Sequence, residues 1–154
     1  MMEQQMQVIV FKVGEELYAI DVSYIRGIEK MVPIVRIPAN VPHVKGIINL
    51  RGEVIPVLSL RSKFGLQDAA ITEDNRMLIV QYDGMLVALL VDSVLEIEDV
   101  TEQKYHDAPR IVQNGDTRYI RGIINDKDRL IIMIEHTELI PEEDKENMKE
   151  IINE

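Results

Sequence analysis

Cysteine and tryptophan are both absent from the 154 residues. Without a thiol there is no disulfide framework, no thiolate-ligated structural zinc and no Cys nucleophile. No apolar run reaches the roughly 18 residues that a membrane helix needs; the longest, residues 85–91, has the length of a strand. The N-terminal MMEQQMQVIV also lacks the basic stretch and apolar core of a secretory signal. These absences predict a cytoplasmic chain with no direct membrane insertion. Positive charge is scarce: 17 basic residues face 27 acidic ones, for a formal net charge of −10, and no Lys/Arg run of the kind that neutralises phosphates occurs. Nucleic acid and anionic membrane are therefore poor partners. Much of the acidity lies in the terminal PEEDKENMKEIINE, where solubility is sufficient reason for it.

Catalytic signatures are equally scarce. His43, His106 and His136 lie in different segments without the paired spacing of a metal site, and solvated side chains are expected for all three. There is no Gly-x-Ser-x-Gly elbow, phosphate loop or dinucleotide fingerprint. Residues 125–128 (Asn-Asp-Lys-Asp) lack the glycine and closing glutamate of a calcium loop and are expected to form a hairpin turn. Glu96, Glu98 and Asp99 cluster, as a solvated face of an acidic protein does. No catalytic residue, metal or cofactor is assigned. A small acidic hydrolase survives only as a residual possibility, to be tested by activity screening with and without divalent metal.

What the chain does have is a block that occurs twice. VKGIINLRGEVIPVLSL (residues 44–60) returns 76 positions later as IRGIINDKDRLIIMIEH (residues 120–136), and residues 8–20 align with residues 78–89. Internal repetition implies two related units. Each starts with a hairpin, around Gly14 in the first unit and Asp83-Gly84 in the second, and ends with another, around Arg51-Gly52 and around residues 126–128. After Asp21, the spacing of Val22, Ile25 and Ile28 predicts a short helix, and residues 92–97 occupy the matching place. Pro33, Pro38 and Pro42 keep residues 31–43 extended or looped. Residues 59–64 suit one helical turn stopped by Gly65, and residues 67–75 are the join. Residues 102–117, with Pro109 and Asn114-Gly115-Asp116, are expected to be loop. A C-terminal helix should follow Pro141, with so thin an apolar face that it frays.

Short strands and helices of a turn or two predict an all-β chain: two five-stranded barrels, residues 7–66 and 76–136, then a helical tail over 137–154. The two stripes, Val22, Ile25, Ile28 and Val94, Leu95, could line one groove between the barrels suited to an amphipathic helix. Arg51 is where the repeats differ. An arginine beside a glycine at a turn tip presents a planar fork of donors to a partner carboxylate or carbonyl.

The run from His43 to Leu58, the string Gly-x-x-Asn-Leu-Arg-Gly-x-x-x-Pro-Val within it, residues 18–22 upstream and residues 90–94 downstream resemble the CheW family of bacterial chemotaxis coupling proteins. The resemblance spans nearly the whole chain. It implies a non-enzymatic adaptor of two SH3-like barrels that links methyl-accepting receptors to the histidine kinase CheA, in the cytoplasm beside membrane-bound receptor arrays. It further implies kinase binding around Gly46, Arg51 and Gly52. Receptor binding falls to Val22, Ile25, Ile28, Val94 and Leu95, with Arg51 also involved in coupling. Gly27 stands where relatives can carry a glutamate, and a helical Glu29 would point away from Arg51. A related module of a larger chemotaxis protein, either a kinase regulatory domain or a coupler fused to a receiver, is the alternative; the initial Met and polar tail favour a free-standing chain.

Overall fold

The computed structural model describes residues 6–38, 41–109 and 117–152. Eleven strands lie among these residues: β1 Met6–Val13, β2 Glu16–Asp21, β3 Ile25–Lys30, β4 Val44–Leu50, β5 Glu53–Ser59, β6 Arg76–Tyr82, β7 Met85–Val91, β8 Ser93–Val100, β9 Tyr105–Asp107, β10 Ile120–Asp126 and β11 Arg129–Ile134. The helices are the single turn α1 Leu60–Lys63 and the terminal α2 Glu142–Ile152. The hairpin turns have the backbone their residues demand. Arg51 and Gly52 (φ 51° and 86°) and Asp83 and Gly84 (φ 41° and 81°) all take left-handed conformations, as a two-residue turn matched to strand twist requires.

Two sheets form, in the orders β8-β1-β2-β11-β10-β9 and β3-β6-β7-β5-β4, each the wall of a small barrel. Their membership corrects the expected division at residues 66 and 76. The hairpin β1–β2 belongs to the first unit, yet it is flanked by β8 and by β11, which runs parallel to β2. The hairpin β6–β7 belongs to the second unit and lies between β3 and the parallel strand β5. The two units have exchanged hairpins, so both barrels contain both halves of the chain. The repeat extends to the margins: β9 pairs with β10 as the isolated bridge Val35–Ile47 pairs with β4.

The helix predicted over residues 22–28 is a 3₁₀ turn, Val22–Tyr24, capped by Asp21 and followed at once by β3. The equivalent stretch in the second unit is β8. Both strands contain a bulge, between Ile25 and Gly27 and opposite Val10/Phe11 respectively. A bulge inserts one residue and restores the same side chain face after three positions instead of two. Ile25 and Ile28 therefore face one way, opposite Val80 and Leu78, with the spacing of a helix and the geometry of a strand. Residues 105–107, expected as loop, are strand β9; residues 110–116, with Asn114-Gly115-Asp116, lie outside the described residues.

The largest core lies between the barrels. Ile9, Phe11, Val13 and Ile20 from one hairpin meet Leu78, Val80, Val87 and Leu89 from the other, with the stacked rings of Phe11, Tyr18, Phe64 and Tyr119 to one side. Each barrel has its own smaller core, around Val10, Ile124 and Met133 and around Ile48, Val57 and Ile79. The chain crosses between sheets at Asp92, whose carboxylate accepts from Gly14 N at 2.8 Å and from Arg61 Nε and Nη2 at 2.9 and 2.8 Å. Contrary to the expected fraying, α2 is docked: Met148 is fully buried, Ile151 and Ile152 pack on the inter-barrel core, and Lys145 lies over the Tyr82 ring.

The histidines also depart from expectation. His106 is exposed, but His43 is half-buried and His136 is buried beneath Tyr24 and Tyr82. His136 Nε2 lies 3.1 Å from the Gln81 carbonyl, and its Nδ1 has no partner among the described residues. Desolvation pulls the pKa of His136 below its ordinary value, although the Gln81 carbonyl and Glu135 act against it; burial and the Lys63 cation lower His43. The folded state thus binds fewer protons than the unfolded one near neutrality. Stability is fully present above the unfolded value of about 6.5 and falls as pH drops below it. Thermal unfolding between pH 7.5 and 5 should show a declining midpoint, with a shallower decline in His136→Gln.

Candidate protein-interaction site

The Arg51-Gly52 turn stands at the tip of β4–β5, fixed by Gly52 N donating to Asn49 Oδ1 at 2.9 Å. The Arg51 side chain is 74% exposed and reaches Glu29 Oε1 and Oε2 from Nη2 at 3.2 and 3.5 Å. This corrects the expectation for Glu29. On a helix it would point elsewhere, but on β3 it follows Gly27 by two residues on the same face and closes the barrel mouth against Arg51. The remaining guanidinium donors of Arg51 have no partner among the described residues. An exposed pair of this kind contributes little stability, which leaves Arg51 free to exchange Glu29 for a partner acceptor.

The equivalent turn of the other barrel is built differently. Lys127 takes the left-handed position there (φ 58°). Arg129, two residues on, is tied to Glu96 at 2.6 Å, Glu98 at 2.9 Å and Asp126 at 3.0 Å. Hydrogen bonds from Arg129 first, then Glu98 and Lys104, hold the Asp126 carboxyl down at about 2. Glu98 is pushed the other way, by burial and by the neighbouring Asp126. One turn spends its arginine internally; the other displays it.

Gly46 lies five residues before Arg51 on β4, at a bulge opposite Val57 and Leu58. A Cβ there would overlap the Val35 carbonyl and come within 2.9 Å of Ile34 Cγ2, so its glycine character answers first to packing. Among the five apolar candidates, Val22, Ile25 and Val94 are half-buried against the inter-barrel core, while Ile28 and Leu95 are 41% and 48% exposed. Val22 sits in the 3₁₀ turn, and the other four sit on β3 and β8, the edge strands of two different sheets, and not on a helix. Leu95 is the bulged residue. The residue that faces the inter-barrel core as Ile28 does is Ile97, which pairs with Ile9 and is 57% exposed. It was missed, although the offset of 69 that carries Ile25 to Val94 also carries Ile28 to Ile97.

A family model described as CheW-like domain matches residues 7–144. The chain belongs to the CheW-like domain family. This CheW-like chain is 33% identical over 141 residues to the chemotaxis protein CheW of Bacillus subtilis, covering 92% of itself and 90% of the relative. It is 32% identical over 139 residues to CheW of Helicobacter pylori, covering 90% and 83%. The crystal structure of the scaffolding protein TtCheW from Thermoanaerobacter tengcongensis superposes with a TM-score of 0.78 at 34% identity, over 86% of this chain and 90% of that one. The all-β, twin SH3-like barrel architecture follows from this membership together with the two sheets. No group of three or more His, Asp or Glu side chains arranged to hold a metal occurs among the described residues, and none of the described helices is long and apolar enough to cross a membrane.

Proposed function

We propose that the chain is a non-enzymatic chemotaxis adaptor that couples methyl-accepting receptors to the histidine kinase CheA. The observation that carries this reading is the displayed arginine: of two turns related by the repeat, one binds its arginine in a carboxylate cluster and the other offers Arg51 to solvent on a single replaceable contact. The kinase regulatory domain binds the barrel that contains Gly46, Arg51 and Gly52. The helical receptor tip binds Val22, Ile25, Ile28, Val94 and Leu95, to which Ile97 is added. The adaptor works in the cytoplasm, held at receptor arrays through these contacts.

Arg51→Ala should leave the thermal midpoint nearly unchanged, since an exposed pair is worth roughly 0–1 kcal/mol, while receptor-stimulated kinase activity in reconstituted arrays drops. Unchanged stimulation would remove Arg51 from the interface. On the receptor side, Ile28→Asp places a charge at an exposed position, so the fold survives. Its binding to a receptor hairpin fragment, measured by calorimetry, should weaken far more than its binding to the kinase domain, because a charge buried by the incoming helix loses hydration without gaining a partner.

A further inference from the structure

One polar crevice is unaccounted for by the adaptor surfaces. It occupies about 550 Å³ between residues 34–37, the start of β4 and α1, and its charged or polar lining is Arg36, His43, Lys45, Ser62 and Asp68. A second crevice of about 330 Å³, which shares Lys45 and Asp68, adds Lys12 and Arg61. Asp74 and Asp92 also line that second crevice and Arg61 is bound to Asp92, whereas in the first Arg36 and Lys45 face a single carboxylate, Asp68. That carboxylate belongs to the segment joining the two units. Asp68 Oδ1 lies 3.2 Å from Lys45 Nζ, with the Asp68 side chain 66% exposed and Lys45 only 29% exposed. Arg61 Nη1 donates to the Gln67 carbonyl at 3.0 Å and so sets the segment over the crevice.

The components are arranged as a recognition site rather than as a packed junction. Arg36 lines the crevice, is exposed and has no ion pair among the described residues. The His43 ring, with left-handed backbone (φ 69°), is held by Ser62 Oγ at 2.7 Å from Nδ1. The carboxylate end of the Lys45–Asp68 pair is exposed and keeps most of its hydration, so another carboxylate can replace Asp68 over Lys45 at little cost. A forked guanidinium beside an ammonium suits an oxyanion held from two directions. We propose that this crevice is an oxyanion-recognition site, filled at rest by Asp68 of the chain itself and opened to an acidic side chain of a protein partner when the joining segment swings aside.

The site makes Asp68 a competitor, and this separates it from an ordinary surface ion pair. Asp68→Asn should bind an end-capped tetraglutamate peptide about threefold more tightly than the natural chain does, the gain expected from removing one exposed ion pair. Lys45→Gln or Arg36→Gln in that background should each weaken peptide binding by about tenfold. The His43 ring reports directly. Its pKa is lowered by burial first and then by Lys63, with Asp144 acting the other way, so saturation with the peptide should raise its titration midpoint in magnetic resonance spectra while exposed His106 stays put. Inorganic phosphate is the control for a small anion. The proposal is overturned if Asp68→Asn binds the peptide no more tightly, if Lys45→Gln and Arg36→Gln leave binding undiminished, if the His43 midpoint does not move, or if phosphate binds more tightly than the peptide.

Discussion

Excising residues 67–74 of the joining segment is expected to leave two fragments, residues 1–66 and 75–154, that are unfolded separately and fold when mixed. The hairpin β1–β2 finds its flanking strands β8 and β11 only in the second fragment, and β6–β7 finds β3 and β5 only in the first. A two-stranded hairpin is at best marginally stable alone. The inter-barrel core would also be halved, since it joins Phe11 and Ile20 from one fragment to Val80 and Leu89 from the other. Circular dichroism of each fragment should lack strand signal, which should return at one-to-one stoichiometry on mixing. A fragment that folds on its own into a five-stranded barrel would mean that a hairpin can return to its own unit.

The second large effect is expected from two glycines that the repeat superposes. A Cβ on Gly46 would overlap the Val35 carbonyl, and one on Gly122 would stand 2.5 Å from the Tyr105 hydroxyl and 2.6 Å from the His106 carbonyl. In both places a short extended segment lies directly over the strand, and in the first it is held by Val35 N to Ile47 O at 2.8 Å and Ile47 N to Val35 O at 2.9 Å. Alanine must push that segment off. Overpacking together with two lost backbone hydrogen bonds puts Gly46→Ala at roughly 2–4 kcal/mol; Gly122→Ala has a partly flexible obstacle in Tyr105 and should cost somewhat less. Gly27→Ala is the control, because its nearest obstacle, at 3.0 Å, is the mobile end of Glu29. Denaturant midpoints measure all three. If Gly46→Ala also loses kinase binding, the loss is to be ascribed to contact only when the stability cost proves small.

The hairpins were legible because turn chemistry is local: Asp83-Gly84 and Arg51-Gly52 announce the positive φ values they adopt. Which hairpin pairs with which was not, because β2–β11 and β5–β7 contacts depend on surfaces far apart in sequence, and the repeat suggests self-contained units with equal force. The helix assigned to Val22, Ile25 and Ile28 failed for a specific reason: a bulge imitates helical spacing. The same helical reading also turned Glu29 away from Arg51 and passed over Ile97 beside Leu95. The displayed arginine was visible as a difference between two copies of a block. What distinguishes it physically, the carboxylate cluster that engages Arg129 in the other copy, assembles from β8, β10 and β11 and could not be read locally. The depth of His136 was hidden likewise, since Tyr24 from the 3₁₀ turn and Tyr82 from β6 converge on it.

The exchanged hairpins also set the order in which the molecule can be made. As the chain leaves the ribosome, β1–β2 emerges first, but its parallel neighbour β11 is among the last strands. For most of translation the first hairpin therefore carries an open strand edge and an uncovered apolar face, the features that invite aggregation. Barrel closure is postponed until nearly all of the sequence is available, and then both barrels can close together. A nascent chain stalled before residue 129 should accordingly stay sensitive to protease along its whole length, whereas one stalled with residue 134 clear of the exit tunnel should acquire resistance in a single step.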